Sequence, residues 1–95
     1  MIDTRVKTIF NYYGFRHQLG KLKEECLELV EAVETFQSTL NAFDWAHVEE
    51  EMADVLNVLE QFQLQGFARM RIDEIRDSKL DRQIARIAKE KEAAK

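Results

Sequence analysis

The chain contains no proline and only three glycines, and its apolar residues return every three or four positions. Without turn-forming punctuation or any period-two alternation, strands have nothing to start or stop them, and helices are the regular element left. The spacing predicts a first helix over 3–13, capped by Asp3 or Thr4, with Ile2, Val6, Ile9, Phe10 and Tyr13 on one side. Gly14 is its expected stop. A second helix is predicted from Phe15, with Leu19, Leu22, Cys26, Leu29, Val30, Val33 and Phe36 as its apolar side. Gly20 weakens it locally, by roughly 1 kcal/mol against alanine. The stretch Gln37–Asp44 is the expected connection, with Asp44 capping a third helix that carries Trp45, Val48, Met52, Val55, Leu56, Leu59 and Phe62. Gly66 is expected to end that helix. From Phe67 to about Ala93 the pattern is helical again, with Ile72, Ile75, Leu80, Ile84 and Ile87 inward and a break expected near 76–78. The fold class read from this pattern is all-α, four helices in one domain spanning 1–95.

Ninety-five residues enclose little core, so self-association is expected. No apolar run approaches the ~20 residues of a membrane span, and the N-terminus lacks a signal-peptide pattern, which predicts a cytoplasmic protein without a membrane partner. The single cysteine, Cys26, has no internal disulfide partner and is read as a small core residue.

Charge is partitioned along the chain. Residues 1–23 carry five Lys/Arg and one acid, residues 24–60 carry eleven acids and no Lys or Arg, and residues 61–95 carry nine basic residues and six acids. An uninterrupted acidic third must be solvated, paired with the flanks, or bound to cations, and it disfavours nucleic acid as a partner.

Within that third, two segments share one rhythm: Glu25-Cys-Leu-Glu28 and Glu51-Met-Ala-Asp54. At about 100° per residue, each acid pair falls at the margin of its helix's apolar stripe, whereas Glu24, Glu31 and Glu34 fall farther toward solvent. If the two helices form an antiparallel hairpin turning near Asn41, the pairs differ in height by about one helical turn, so the four carboxylates can converge. Such a cluster repels itself unless it is protonated or neutralised, and oxygen-only ligands select a hard ion, Mg²⁺ or Mn²⁺. The alternative is an ordinary acidic surface, since Glu at i and i+3 is common on helices. Di-iron chemistry fits less well because neither histidine completes a Glu-x-x-His motif.

Lys79, Arg82 and Arg86 form a basic stripe on the last helix, suited either to phosphate oxygens or to a solvated face paired with acids. Lys21, one turn before Glu25, can also reach a phosphate. His47 shares a face with Glu51, as a ligand or as a solvated helix-start histidine. Tyr12, Tyr13, Phe15 and Trp45 can stack a base but fit a core equally.

Read together, Lys21-Leu-Lys-Glu-Glu-Cys-Leu-Glu-Leu, the 22 residues between Glu28 and Glu51, Glu-Glu-Met-Ala-Asp-Val-Leu and the basic Lys79-Leu-Asp-Arg82-Gln-Ile-Ala-Arg86 resemble the MazG-like all-α nucleoside triphosphate pyrophosphohydrolases. That superfamily also holds the dimeric dUTPases and the phosphoribosyl-ATP pyrophosphohydrolases, and the resemblance spans roughly 15–90. It implies a Mg²⁺-dependent cut between the α and β phosphates of an NTP or dNTP, giving a monophosphate and pyrophosphate. Glu25, Glu28, Glu51 and Asp54 would hold the metal, with one of them orienting or deprotonating water. Lys21, Lys79 and Arg82 would neutralise phosphate charge, with Arg86 on the same basic stripe. A homodimer or homotetramer would complete the bundle. Related substrates, phosphoribosyl-ATP or an alarmone, and a non-catalytic nucleotide- or partner-binding module are the alternatives. The tandem repeat of larger MazG proteins is absent, and no base-specifying motif stands out.

Overall fold

The computed structural model describes residues 3–65 and 68–94. Among them the chain is all-α: α1 (Thr4–Tyr13), α2 (Phe15–Thr39), α3 (Ala42–Gln63) and α4 (Ala68–Ala93), with no strand. The expected positions of Ile2, Gly66 and Phe67 lie outside the described residues.

Two compact units divide the chain, Met1–Phe62 and Gln63–Lys95. In the first, α1 starts where Asp3 caps it: the Asp3 carboxylate accepts from the Arg5 backbone N–H at 2.9 Å. The Arg5 guanidinium also grips that carboxylate, and this hydrogen-bonded pairing lowers the Asp3 carboxyl to about 2. Gly14, at φ 85°, carries the chain from α1 directly into α2, and its N–H closes α1 on the Phe10 carbonyl at 2.8 Å. Helix α2 then runs unbroken through Gly20 for 25 residues. One internal glycine removes less stability than so many backbone hydrogen bonds and a packed face supply.

The turn between α2 and α3 is only Leu40 and Asn41, far shorter than the expected connection over 37–44. Asp44 is therefore not the N-cap but a residue of the first turn. Asn41 caps in its place, its side-chain oxygen accepting from the Asp44 N–H at 2.8 Å. The Thr39 hydroxyl donates to the Asp44 carboxylate at 2.6 Å, and the Phe36 and Trp45 rings pack 5.2 Å apart across the turn. At the other end, Phe10, Phe15 and Phe62 meet edge to face at 5.6–6.3 Å, which seats α1. The buried apolar residues are Val6, Phe10, Ala32, Val48 and Val58.

Two expectations about faces are corrected. Helix α2 buries Gln18, Glu25 and Ala32, a seven-residue repeat, while Leu19, Cys26 and Val30 are exposed. The seam facing α3 thus follows a heptad phase carrying small and polar side chains, and the strongest apolar residues lie beside it. In the second unit, α4 is continuous, without the break near 76–78, and buries none of its residues. Asp77 and Ser78 are tolerated inside it because two exposed helix-neutral residues do not stop a long helix. Ile75, Leu80, Ile84 and Ile87 are exposed and not inward.

Leu40 ends α2 in the left-handed region, φ 52° and ψ 25°, with its side chain 72% exposed. A Cβ is unfavourable there and the leucine side chain buries little in return. Leu40→Gly should raise stability by about 0.5–1 kcal/mol, read as a higher denaturation midpoint with an unchanged slope.

Candidate functional site

Helices α2 and α3 bring Glu25, Glu28, Glu51 and Asp54 together. One carboxylate oxygen from each lies within 4.8 Å of all the others. The four residues come from two i, i+3 pairs on facing helices, so the short Leu40–Asn41 turn is what sets their heights level. The cluster sits deeper than its predicted place at a stripe margin. Glu25 is 6% exposed and Glu51 9%, both in the seam itself, with Glu28 half-buried and Asp54 exposed.

Each of the two buried carboxylates has one oxygen facing a nitrogen base and one facing none. Glu25 meets the Lys21 ammonium at 3.1 Å, and Glu51 has the His47 ring 3.8 Å away. Glu25 Oε2 and Glu51 Oε2 are buried without a hydrogen-bond partner. A buried carboxylate oxygen left unpartnered costs at least about 1–3 kcal/mol, and a buried charge costs more unless a cation offsets it. Glu28 responds to this crowding. Its carboxyl is pushed above the usual glutamate range, first by hydrogen bonding with Glu25, then by desolvation and by the charges of Glu25, Glu51 and Glu24. A hydrogen bond between two carboxyls needs a proton on one of them, so with both ionised the contact is acceptor against acceptor.

The cluster is reachable. Glu28 and Glu51 line an open groove of about 440 Å³ with Glu31, Ala32, Thr35 and His47. A cleft of about 360 Å³, lined by Ile9, Tyr13, His17, Gln18, Lys21, Glu24, Val58 and Gln61, has Lys21 on its wall. Tyr13 and His17 stack there at 4.6 Å, while Tyr12 is exposed and Trp45 belongs to the turn.

The donor set suits a hard divalent ion: four carboxylates, no sulfur and no neutral amide. Any or all of Glu25, Glu28, Glu51 and Asp54 could hold such an ion, which would supply the positive charge the cluster lacks. The remaining candidates divide. Lys21 stands at the cluster, bridging Glu25 and, at 3.7 Å, Glu24. Lys79, Arg82 and Arg86 lie on α4 in the second unit, all exposed, and Arg86 donates to Gln83 at 3.4 Å.

Sequence reasoning missed Gln18 and Gln61. Both are 3% exposed, and Gln18 Nε2 donates to Gln61 Oε1 at 2.7 Å. The His17 ring nitrogen Nδ1 lies 2.7 Å from Gln18 Oε1, and Gln61 Nε2 donates to the Asn57 carbonyl at 3.3 Å. Their signal was present: Gln18 precedes Glu25 by one heptad, on the same seam.

No family model matches this chain, and no curated protein or solved structure matches it significantly.

A carboxyl whose folded value is raised holds its proton more tightly folded than unfolded. The cation-free protein should therefore lose stability as pH rises from about 4.5 through the raised value of Glu28. Glu28→Gln, which cannot ionise, should flatten that part of the melting-temperature profile in chelator-treated protein.

Proposed function

We propose that the chain is a Mg²⁺-dependent nucleotide pyrophosphohydrolase that adds water across the α–β anhydride of an NTP or dNTP, releasing a nucleoside monophosphate and pyrophosphate. The observation that carries this reading is the pair of buried carboxylate oxygens, on Glu25 and Glu51, without a partner inside a four-carboxylate cluster. An ordinary acidic surface patch leaves its oxygens to water, whereas a divalent cation would give these two buried oxygens a partner. The sequence resemblance described above supplies the reaction.

In this reading Glu25, Glu28, Glu51 and Asp54 hold Mg²⁺ or Mn²⁺. When bound, the metal supplies charge neutralisation at phosphoryl oxygens and a water of lowered pKa. The protein's own groups do the rest. The seam fixes the two buried carboxylates, Glu28 and Asp54 lie on its more open side, and one of the four would orient or deprotonate the attacking water. Lys21 offers an ammonium to the substrate's phosphates. Lys79, Arg82 and Arg86 remain candidates for the same role on the strength of their charge and exposure.

The same reading holds that the chain works as a homo-oligomer. Leu19, Val30, Met52, Leu56 and Leu59 are exposed on α2 and α3 in the first unit. A second copy is the natural cover for apolar residues on a domain this small. Leu56, at 64% exposed, is a direct probe: the parent chain should weigh as a dimer or tetramer by light scattering, and Leu56→Glu should shift it toward monomer.

The enzyme reading is tested with a panel of NTPs and dNTPs, Mg²⁺ and pyrophosphate detection. At least one substrate should be turned over, with activity falling at least about a hundredfold in Glu28→Ala and Asp54→Ala. Mg²⁺ should also raise the melting temperature. No turnover, with Mg²⁺-linked nucleotide binding intact, would instead identify a nucleotide-binding module. An unchanged melting temperature in saturating Mg²⁺ would remove the metal site itself.

A further inference from the structure

The Lys21–Glu25 pair does not look like an ordinary surface ion pair. Lys21 is 41% exposed in its side chain while Glu25 is 8%, so a mobile cation reaches down to a fixed, buried anion. The lysine lies N-terminal to its partner, which is the less favourable order for an i, i+4 pair on a helix. Local helix preference therefore does not account for the contact, but the concentration of negative charge does. Glu24 lies 3.7 Å from the ammonium. Glu25, Glu24 and Glu28 together hold the Lys21 amine above its ordinary value, with the hydrogen bond to Glu25 the largest cause.

A single ammonium cannot neutralise four carboxylates. It touches one oxygen of Glu25, leaves the other without a partner, and has no contact with Asp54 or Glu51. A divalent ion at the cluster would satisfy more oxygens and would repel the ammonium at the same time. Lys21 lines the neighbouring cleft with Ile9, Tyr13 and Gln18, and its long flexible side chain can withdraw there while staying next to the site.

Building on the metal-site reading above, we propose that Lys21 is an internal counter-ion that holds the cation's place at Glu25 in the metal-free protein. When a divalent cation binds, it displaces Lys21, whose ammonium is then available to an anionic substrate. The two binding events are thereby linked: metal releases the lysine, and an anion that engages the lysine favours the metal by the same factor. Metal and phosphate therefore bind cooperatively at the cluster.

Calorimetric titration with Mg²⁺ alone separates the possibilities, using the full chain and its Lys21→Met, Lys21→Arg and Glu28→Gln variants, each checked for helix content by circular dichroism. Lys21→Met should bind Mg²⁺ about two- to fivefold more tightly, the range of a part-exposed ion pair that no longer has to be broken. Its metal-free form should melt lower than the parent, and its rise on Mg²⁺ saturation should be larger. Lys21→Arg, which keeps the charge, should stay close to the parent. If Lys21→Met binds Mg²⁺ equally or more weakly, while Glu28→Gln abolishes binding in the parent, the counter-ion role is overturned and the metal site stands. An affinity for Lys21→Arg as high as that of Lys21→Met would also overturn it, because charge would not be the cause. If neither parent nor Lys21→Met binds Mg²⁺, the metal-site reading falls and the counter-ion role falls with it.

Discussion

Repulsion among carboxylates in the α2–α3 seam is the constraint on which the first unit depends. Two helices that meet through Gln18, Glu25, Glu51 and Gln61 give up much of the apolar burial that ordinarily holds a hairpin together. Ala32, Val48 and Val58 supply what apolar burial the two helices have along their length, and the seam is also held from its ends. The Phe36–Trp45 contact and the capped turn close one end, and the Phe10–Phe15–Phe62 cluster closes the other. Between them the Gln18–Gln61 hydrogen bond makes one polar layer self-sufficient. The carboxylate layer is not self-sufficient in this way, since one oxygen on each of its two buried acids lacks a partner. A protein that tolerates such a layer forgoes stability there, which is the pattern expected of a binding site rather than of a core.

The fold class and the four acids were legible in the sequence for a shared reason: helical periodicity is a local property and survives without knowledge of packing partners. Asp3, Gly14 and the identity of each helix could be read because caps and stops are set within a few residues. The four carboxylates could be read because two identical spacings on facing helices leave little freedom in where the side chains arrive. What failed was the rotational setting of α2. Leu19, Cys26 and Val30 lie on the more apolar arc, and sequence reasoning assigns the more apolar arc to the interior. Helix α2 instead buries the neighbouring arc of Gln18, Glu25 and Ala32, leaving Leu22, Leu29, Val33 and Phe36 of the expected side half-buried. Choosing between adjacent arcs needs the partner's side chains, here Val48, Glu51, Val58 and Gln61, and periodicity within one helix does not contain them.

The turn shows a second limit. Gln37 to Asp44 contains serine, threonine, asparagine and aspartate, the composition of a loop. Yet Thr39, Asn41 and Asp44 are spent on one another as caps, so that two residues suffice to reverse the chain. Polar residues near a helix end can mark either a long connection or a tightly closed one, and only the hydrogen-bond partners distinguish the two.

That closed turn has a consequence for how the site comes into being. All four carboxylates reside on two consecutive helices, and the loop that must close to unite them is two residues long. Little chain entropy opposes their meeting, so the repulsive layer forms as soon as the hairpin does, early in folding, before any distant part of the chain has docked. Folding speed should then respond to the ions in solution. On the metal-site reading proposed above, the nascent hairpin brings its negative charges together unaided where divalent cations are scarce, and a bound ion would template the nucleus itself where they are plentiful.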